Sequence, residues 1–105
     1  MDTREATPSM PDLTVTLYSS SFCGACTSTR HTLDLVGSLL DSSPMGSRVG
    51  LREVNVADRP RESEERGITS TPTVVMTTGD GVEVMRATGV PTSEQVLAAI
   101  ARNLG

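Results

Sequence analysis

The sequence predicts one α/β domain, a mixed sheet sandwiched between helices. Three observations predict it. The chain has 105 residues, the size of a single domain with a single core. Segments of two-residue and helical periodicity follow one another as strand, helix, strand, helix, hairpin, helix. Gly79-Asp80-Gly81 also separates two β-rich runs, residues 74–76 and 82–87, in the manner of a hairpin turn.

Residues 1–11 carry Pro8 and Pro11 among polar neighbours without a period and read as a flexible lead-in, which leaves 12–105 as the domain. Leu13-Thr14-Val15-Thr16-Leu17-Tyr18 alternates, so Leu13, Val15 and Leu17 share one face of a strand that ends at Ser19-Ser20-Ser21. A helix from about Cys23 to Leu40 aligns Leu33, Val36 and Leu40, with Leu35 and Leu39 beside that stripe. Ser42-Ser43-Pro44-Met45-Gly46 stops it. Residues 49–56 form the second strand. Asp58-Arg59-Pro60 caps a short polar helix closed by Gly67, with Glu62 and Arg66 one turn apart to pair. After the hairpin, Thr92-Ser93-Glu94-Gln95 has the pattern of a capping box, and Val96, Leu97, Ile100 and Leu104 follow at helical spacing to pack on the sheet.

Composition narrows the function. Apolar residues make up 36% of the chain, and one Phe and one Tyr are its aromatics, so Val, Leu, Ile, Met and Ala must build the core. Nine cationic side chains, all Arg, stand against thirteen acidic ones, a net charge of −4. That balance argues against nucleic acid, which is bound by clustered cations. No window approaches the ~20 apolar residues of a membrane span, and the start lacks the apolar stretch of a secretory signal, so the cytoplasm is the expected location.

The chemistry rests on Cys23-Gly24-Ala25-Cys26, placed after a strand and at the opening of a helix. Residues three apart on a helix have Cβ atoms roughly 5–6 Å apart, and a disulfide wants about 3.5–4.5 Å, so a modest adjustment of the turn closes the bond. A link this short closes almost no loop, and its value is chemical. The first turn offers unpaired N–H groups and the positive end of the helix dipole, both favouring a thiolate on Cys23. A thiol shifted from about 8.5 to about 7.5 is roughly 24% rather than 3% ionised at pH 7. Cys23 is then the attacking sulfur, and Cys26, one turn deeper, resolves the mixed disulfide. Two other readings stay open. A zinc site needs four ligands, and the chain offers two Cys and His31 unless a second copy shares the metal. The cysteines could also be buried and inert.

With these residues in place, the stretch 13–104 resembles the thioredoxin family. The likeness is carried by the strand before Cys23-Gly24-Ala25-Cys26, by Val54-Asn55-Val56 with Pro60, by Gly67-Ile68, by Thr71-Pro72-Thr73 and by Gly89, with one extra residue near Asp80. It implies a thioredoxin-like fold, a four-stranded sheet flanked by three helices, and a thiol–disulfide oxidoreductase that needs no cofactor. It further implies a cis Pro72 against the cysteines, with the backbone at Thr71 open to an extended substrate segment. Gly89 allows that segment to approach closely, unless it is an ordinary turn glycine; Pro72 has its own plain reading, as a break in an edge strand. Phe22 supplies an apolar rim, and Gly24 and Ala25 complete the substrate surface.

The sequence also departs from the family pattern. Phe22 and Ala25 stand where the family usually has Trp and Pro, and Leu17 stands where it buries an Asp that helps deprotonate the resolving thiol. Glu53 aligns with a family Lys. A carboxylate moved to the second strand is therefore expected to transfer protons at Cys26, against the plain reading of a solvated strand residue. Arg30 and His31 are expected to be exposed helix residues. Residues 17–23 are also similar to the front of glutaredoxins, which act on mixed disulfides with a small thiol. Another class is a non-catalytic docking module, or a dimer bridging an iron–sulfur cluster through Cys23. The expected partners are protein disulfides and, as electron donor, a flavoprotein disulfide reductase or a low-molecular-weight thiol, with the protein a monomer.

Overall fold

A computed structural model describes residues 11–104, so the lead-in expected at 1–11 lies outside the described residues except for Pro11. Four strands form one sheet in the order β2-β1-β3-β4: β1 (Leu13–Ser19), β2 (Val49–Asn55), β3 (Thr73–Thr78) and β4 (Glu83–Thr88). β1 and β2 are parallel, from Leu13 opposite Val49 to Ser19 opposite Asn55. Parallel neighbours need a crossover, which α1 (Gly24–Asp41) and a 3₁₀ turn (Pro44–Arg48) provide. β3 runs antiparallel to both β1 and β4. The helices are completed by α2 (Pro60–Glu65) and α3 (Ser93–Leu104), giving the expected four-stranded mixed sheet with three helices.

The main core lies between the sheet and the pair α1 and α3. Leu13, Val15 and Leu17 of β1 and Val74 and Met76 of β3 meet Leu33, Val36 and Leu40 of α1 and Val96, Ala99 and Ile100 of α3. Each fully buried aliphatic side chain of this kind contributes about 1.5–3 kcal/mol before the entropy of ordering is counted. Leu35 and Leu39, expected beside the stripe, stay about half exposed because they turn away from the sheet.

β1 is buried on both faces, where its alternation suggested one. It is the second strand in from the edge, so Tyr18 and Thr16 are covered as well, and Tyr18 joins Val54 and Val75 in a second, smaller cluster with Val56 and Ile68. Here α2 departs from the sequence expectation. Its N-cap is Arg59, with no side-chain cap, rather than Asp58, and Pro60 sets the first turn. Gly67 closes the segment at φ +67, a conformation that suits glycine. Glu62 does not pair with Arg66. Arg52 on β2 reaches it with two hydrogen bonds, of 2.8 and 3.1 Å, and the Tyr18 hydroxyl donates to it at 2.7 Å. A planar two-bond fork from the neighbouring strand outweighs a one-turn helix pair, and Arg66 donates instead to the Gly81 carbonyl.

Met76 faces Met85 and Thr77 faces Glu83, so Val84 is an extra residue in β4 at a β-bulge. The capping box of α3 closes in both directions: the Thr92 N–H donates to the Gln95 side chain at 2.8 Å, and the Gln95 N–H to the Thr92 hydroxyl at 3.0 Å. Among the described residues, no helix is long and apolar enough to cross a membrane.

Candidate active site

β1 ends against Asn55, and the chain turns through Ser20, Ser21 and Phe22 to enter α1. Phe22 has φ +59, a left-handed conformation that non-glycine residues seldom adopt, and its side chain is fully exposed. Cys23 follows as the N-cap of α1 in an extended conformation, φ −114 and ψ 102. An N-cap is where Ser, Thr, Asp or Asn usually accepts a bond from the first turn. A sulfur does so here, accepting from the Cys26 N–H at 3.1 Å. Cys23 and Cys26 are joined as a disulfide, their Cα atoms 5.2 Å apart. The two sulfurs are unequal in access: Cys26 is 1% exposed and Cys23 is only half-buried, so an incoming partner meets Cys23.

A cleft of about 510 Å³ opens beside Cys23, formed by the segment 19–24 and walled by Thr27, Arg30, Glu53 and Asn55. The parallel register sets Glu53 next to Leu17, on the face that α1 covers. Its carboxylate is bound by three donors: Arg30 Nε at 2.7 Å, Arg30 Nη2 at 2.6 Å and the buried Ser19 hydroxyl at 2.8 Å. The Arg30 hydrogen bonds come first among the causes that hold this carboxyl below the usual range, ahead of the opposing cost of burial. A carboxylate so held is ionised at neutral pH and is a weak proton acceptor. Arg30, expected to be an exposed helix residue, keeps 42% of its side chain exposed and also lines the cleft, paired with Glu53; His31 is exposed.

The remaining expected residues fall into two groups. Phe22, Gly24 and Glu53 share the cleft with Cys23, whereas Ala25 lies exposed on the first turn and Cys26 lies beneath it. Thr71 and Pro72 form a cis peptide on the other side of Ser20, whose hydroxyl is 2.7 Å from that of Thr71. The β1–β3 ladder stops at the pair Tyr18–Thr73, so Thr71 lies just past the last rung. Gly89, at φ +86, donates its N–H to the Pro72 carbonyl at 3.0 Å and so is tied to the same segment. Sequence reasoning missed Ser19, Ser20 and Arg30. For Arg30 a signal existed, since it lies one helical turn beyond Cys26 and carries the charge opposite to Glu53. For the serines there was none. Among the described residues, no three His, Cys, Asp or Glu side chains converge as metal ligands.

No family model and no curated protein matches the chain. Solved structures do. Thioredoxin-2 of the malaria parasite, a component of its protein secretion machinery, superposes with a TM-score of 0.75 at 19% identity, over 86% of this chain and 82% of that one. Chloroplastic thioredoxin z gives 0.74 at 18% identity, over 97% and 84% of the two chains. This chain has the thioredoxin fold. The thioredoxin of Malassezia sympodialis agrees, at 0.70 and 23% identity over 96% and 84%. In a thioredoxin fold with a cysteine pair at the head of α1, the arrangement supports a thiol–disulfide oxidoreductase in general terms.

Proposed function

We propose that the protein reduces disulfides in protein substrates with the Cys23–Cys26 dithiol. The observation that carries this reading is the inequality of the two sulfurs. One is accessible and receives a backbone N–H at the head of a helix; the other is buried within bonding reach. In the reduced protein the Cys23 thiolate attacks one sulfur of a substrate disulfide. A mixed disulfide forms, and the other substrate sulfur leaves as a thiolate and takes a proton from water. Cys26 then loses its proton and attacks Cys23 Sγ, releasing the second substrate sulfur and forming the Cys23–Cys26 disulfide. Two electrons pass to the substrate. An external donor must return them, which we assign to a flavoprotein disulfide reductase in the cytoplasm.

Substrate positioning is assigned to Thr71, Pro72 and Gly89 on one side of Cys23 and to Phe22, Gly24 and Ala25 on the other. A fully exposed aromatic side chain held in a left-handed conformation contributes no burial to the fold, which suits a docking element. An extended substrate segment would pair with the backbone at Thr71, where the ladder has ended.

Cys23→Ser should abolish turnover of a protein disulfide, and Cys26→Ser should accumulate a covalent mixed disulfide with it, seen on a non-reducing gel. Full activity in both variants would overturn the reading. A second reading has its own support: the hydroxyl and amide groups of Ser20, Ser21, Thr27 and Asn55 give the cleft a polar wall suited to a small polar thiol. Comparing a flavoprotein reductase with a low-molecular-weight thiol as donor separates the two.

A further inference from the structure

We propose that Arg30 and Glu53 set the reactivity of Cys23 in opposite directions, Arg30 raising its thiolate population and Glu53 lowering it. The proposal rests on the dithiol reading above and adds positioning residues to it. The charge inventory around Cys23 is short. Among the described residues, Arg30, from α1, and Glu53, from β2, are the two charged side chains lining its cleft; the segment 19–22 and residues Thr27 and Asn55 contribute neutral groups. On the far side of Ser20, the depression formed with Val56, Ile68 and residues 69–71 is lined, among the described residues, by uncharged side chains. Of the described charges, one cation and one anion thus stand in the cleft where a negative sulfur forms at Cys23.

These two charges hold each other in place. The guanidinium is fixed to both carboxylate oxygens, and the buried Ser19 hydroxyl, at the end of β1, anchors the carboxylate from below. Bound to each other, they present Cys23 with opposite charges from one wall of its cleft. Neutralising one leaves the other uncompensated against the same wall of the cleft, so the two substitutions act with opposite sign. Both side chains are about two-fifths exposed, at 42% and 37%, so the influence is moderate and screened by salt. The same geometry favours an electrostatic part for Glu53 over a proton-carrying one, because three donors occupy three of its about four lone-pair sites and hold it ionised.

The test uses the full-length Cys26→Ser protein, which leaves Cys23 as the sole thiol, alkylated with iodoacetamide from pH 5 to 9 and followed by mass spectrometry. Arg30→Gln should slow alkylation at pH 6.5 by about threefold and move the half-maximal rate to higher pH; Glu53→Gln should speed it by about threefold and move the midpoint lower. The double variant should return close to the parent, and raising the salt to about 0.5 M should shrink both effects. Arg30→Lys keeps the charge and should stay near the parent, which separates charge from folding damage. Shifts of the same sign, or no shift in either variant, overturn the proposal. A parent whose Cys23 alkylates like a free peptide thiol instead sinks the dithiol reading, and it does so in the parent alone.

Discussion

Glu62 ties α2 to the sheet, and that tie can be measured. The Tyr18 hydroxyl donates to Glu62 Oε2 at 2.7 Å from a residue that is 2% exposed, while Arg52 holds the same carboxylate with two bonds. In Tyr18→Phe one donor disappears, but the carboxylate keeps Arg52 and is 28% exposed to water, so the cost should be about 1 kcal/mol. In Glu62→Ala the hydroxyl loses its acceptor at the wall of a polar cleft that it shares with Arg52 and Arg66, which costs about 1 kcal/mol, and the partly exposed Arg52 pair adds about 0.5 kcal/mol. Adding Tyr18→Phe to Glu62→Ala then removes a donor that has already lost its acceptor. The same substitution that destabilises the parent should be close to neutral in the variant, a coupling of about 1 kcal/mol. Urea unfolding of the four proteins at pH 7, with the disulfide intact and equal slopes, gives the cycle directly. If Tyr18→Phe costs the same in both backgrounds, the hydroxyl does not depend on Glu62 and the reasoning fails.

Further outcomes follow from individual groups. Burial, and next the bond to Glu62, push the Tyr18 phenol up to about 12, so its folded value lies above its unfolded one of about 10. The stability this contributes is complete below pH 10 and lost as pH rises towards 12; tyrosinate absorbance should titrate near 12, and a midpoint at 10 contradicts it. Phe22→Gly removes an exposed side chain from a left-handed position, so thermal stability should hold within about 1 kcal/mol while kcat/KM for protein disulfides falls; an unchanged kcat/KM removes Phe22 from the docking surface. Thr92→Ala breaks the reciprocal cap of α3 and should cost about 1 kcal/mol in urea, and a loss under a few tenths would show that the cap does not hold the helix.

The sequence alone determined the order of elements, the face of β1 that bears Leu13, Val15 and Leu17, and the position of Cys23 at the head of a helix, because periodicity, caps and turn residues act over a few positions. It also carried the resemblance that led to the fold. Tertiary structure decided what distant segments do to one another. Tyr18 is buried because strands from 49–55 and 73–78 flank β1, and Glu62 leaves its helix neighbour Arg66 because β2 brings Arg52 within reach. Arg30 likewise meets Glu53 because the parallel register sets residue 53 beside Leu17, under α1. Charged side chains on long stems choose partners by distance in space, and a linear pattern does not contain that distance until the sheet has assembled.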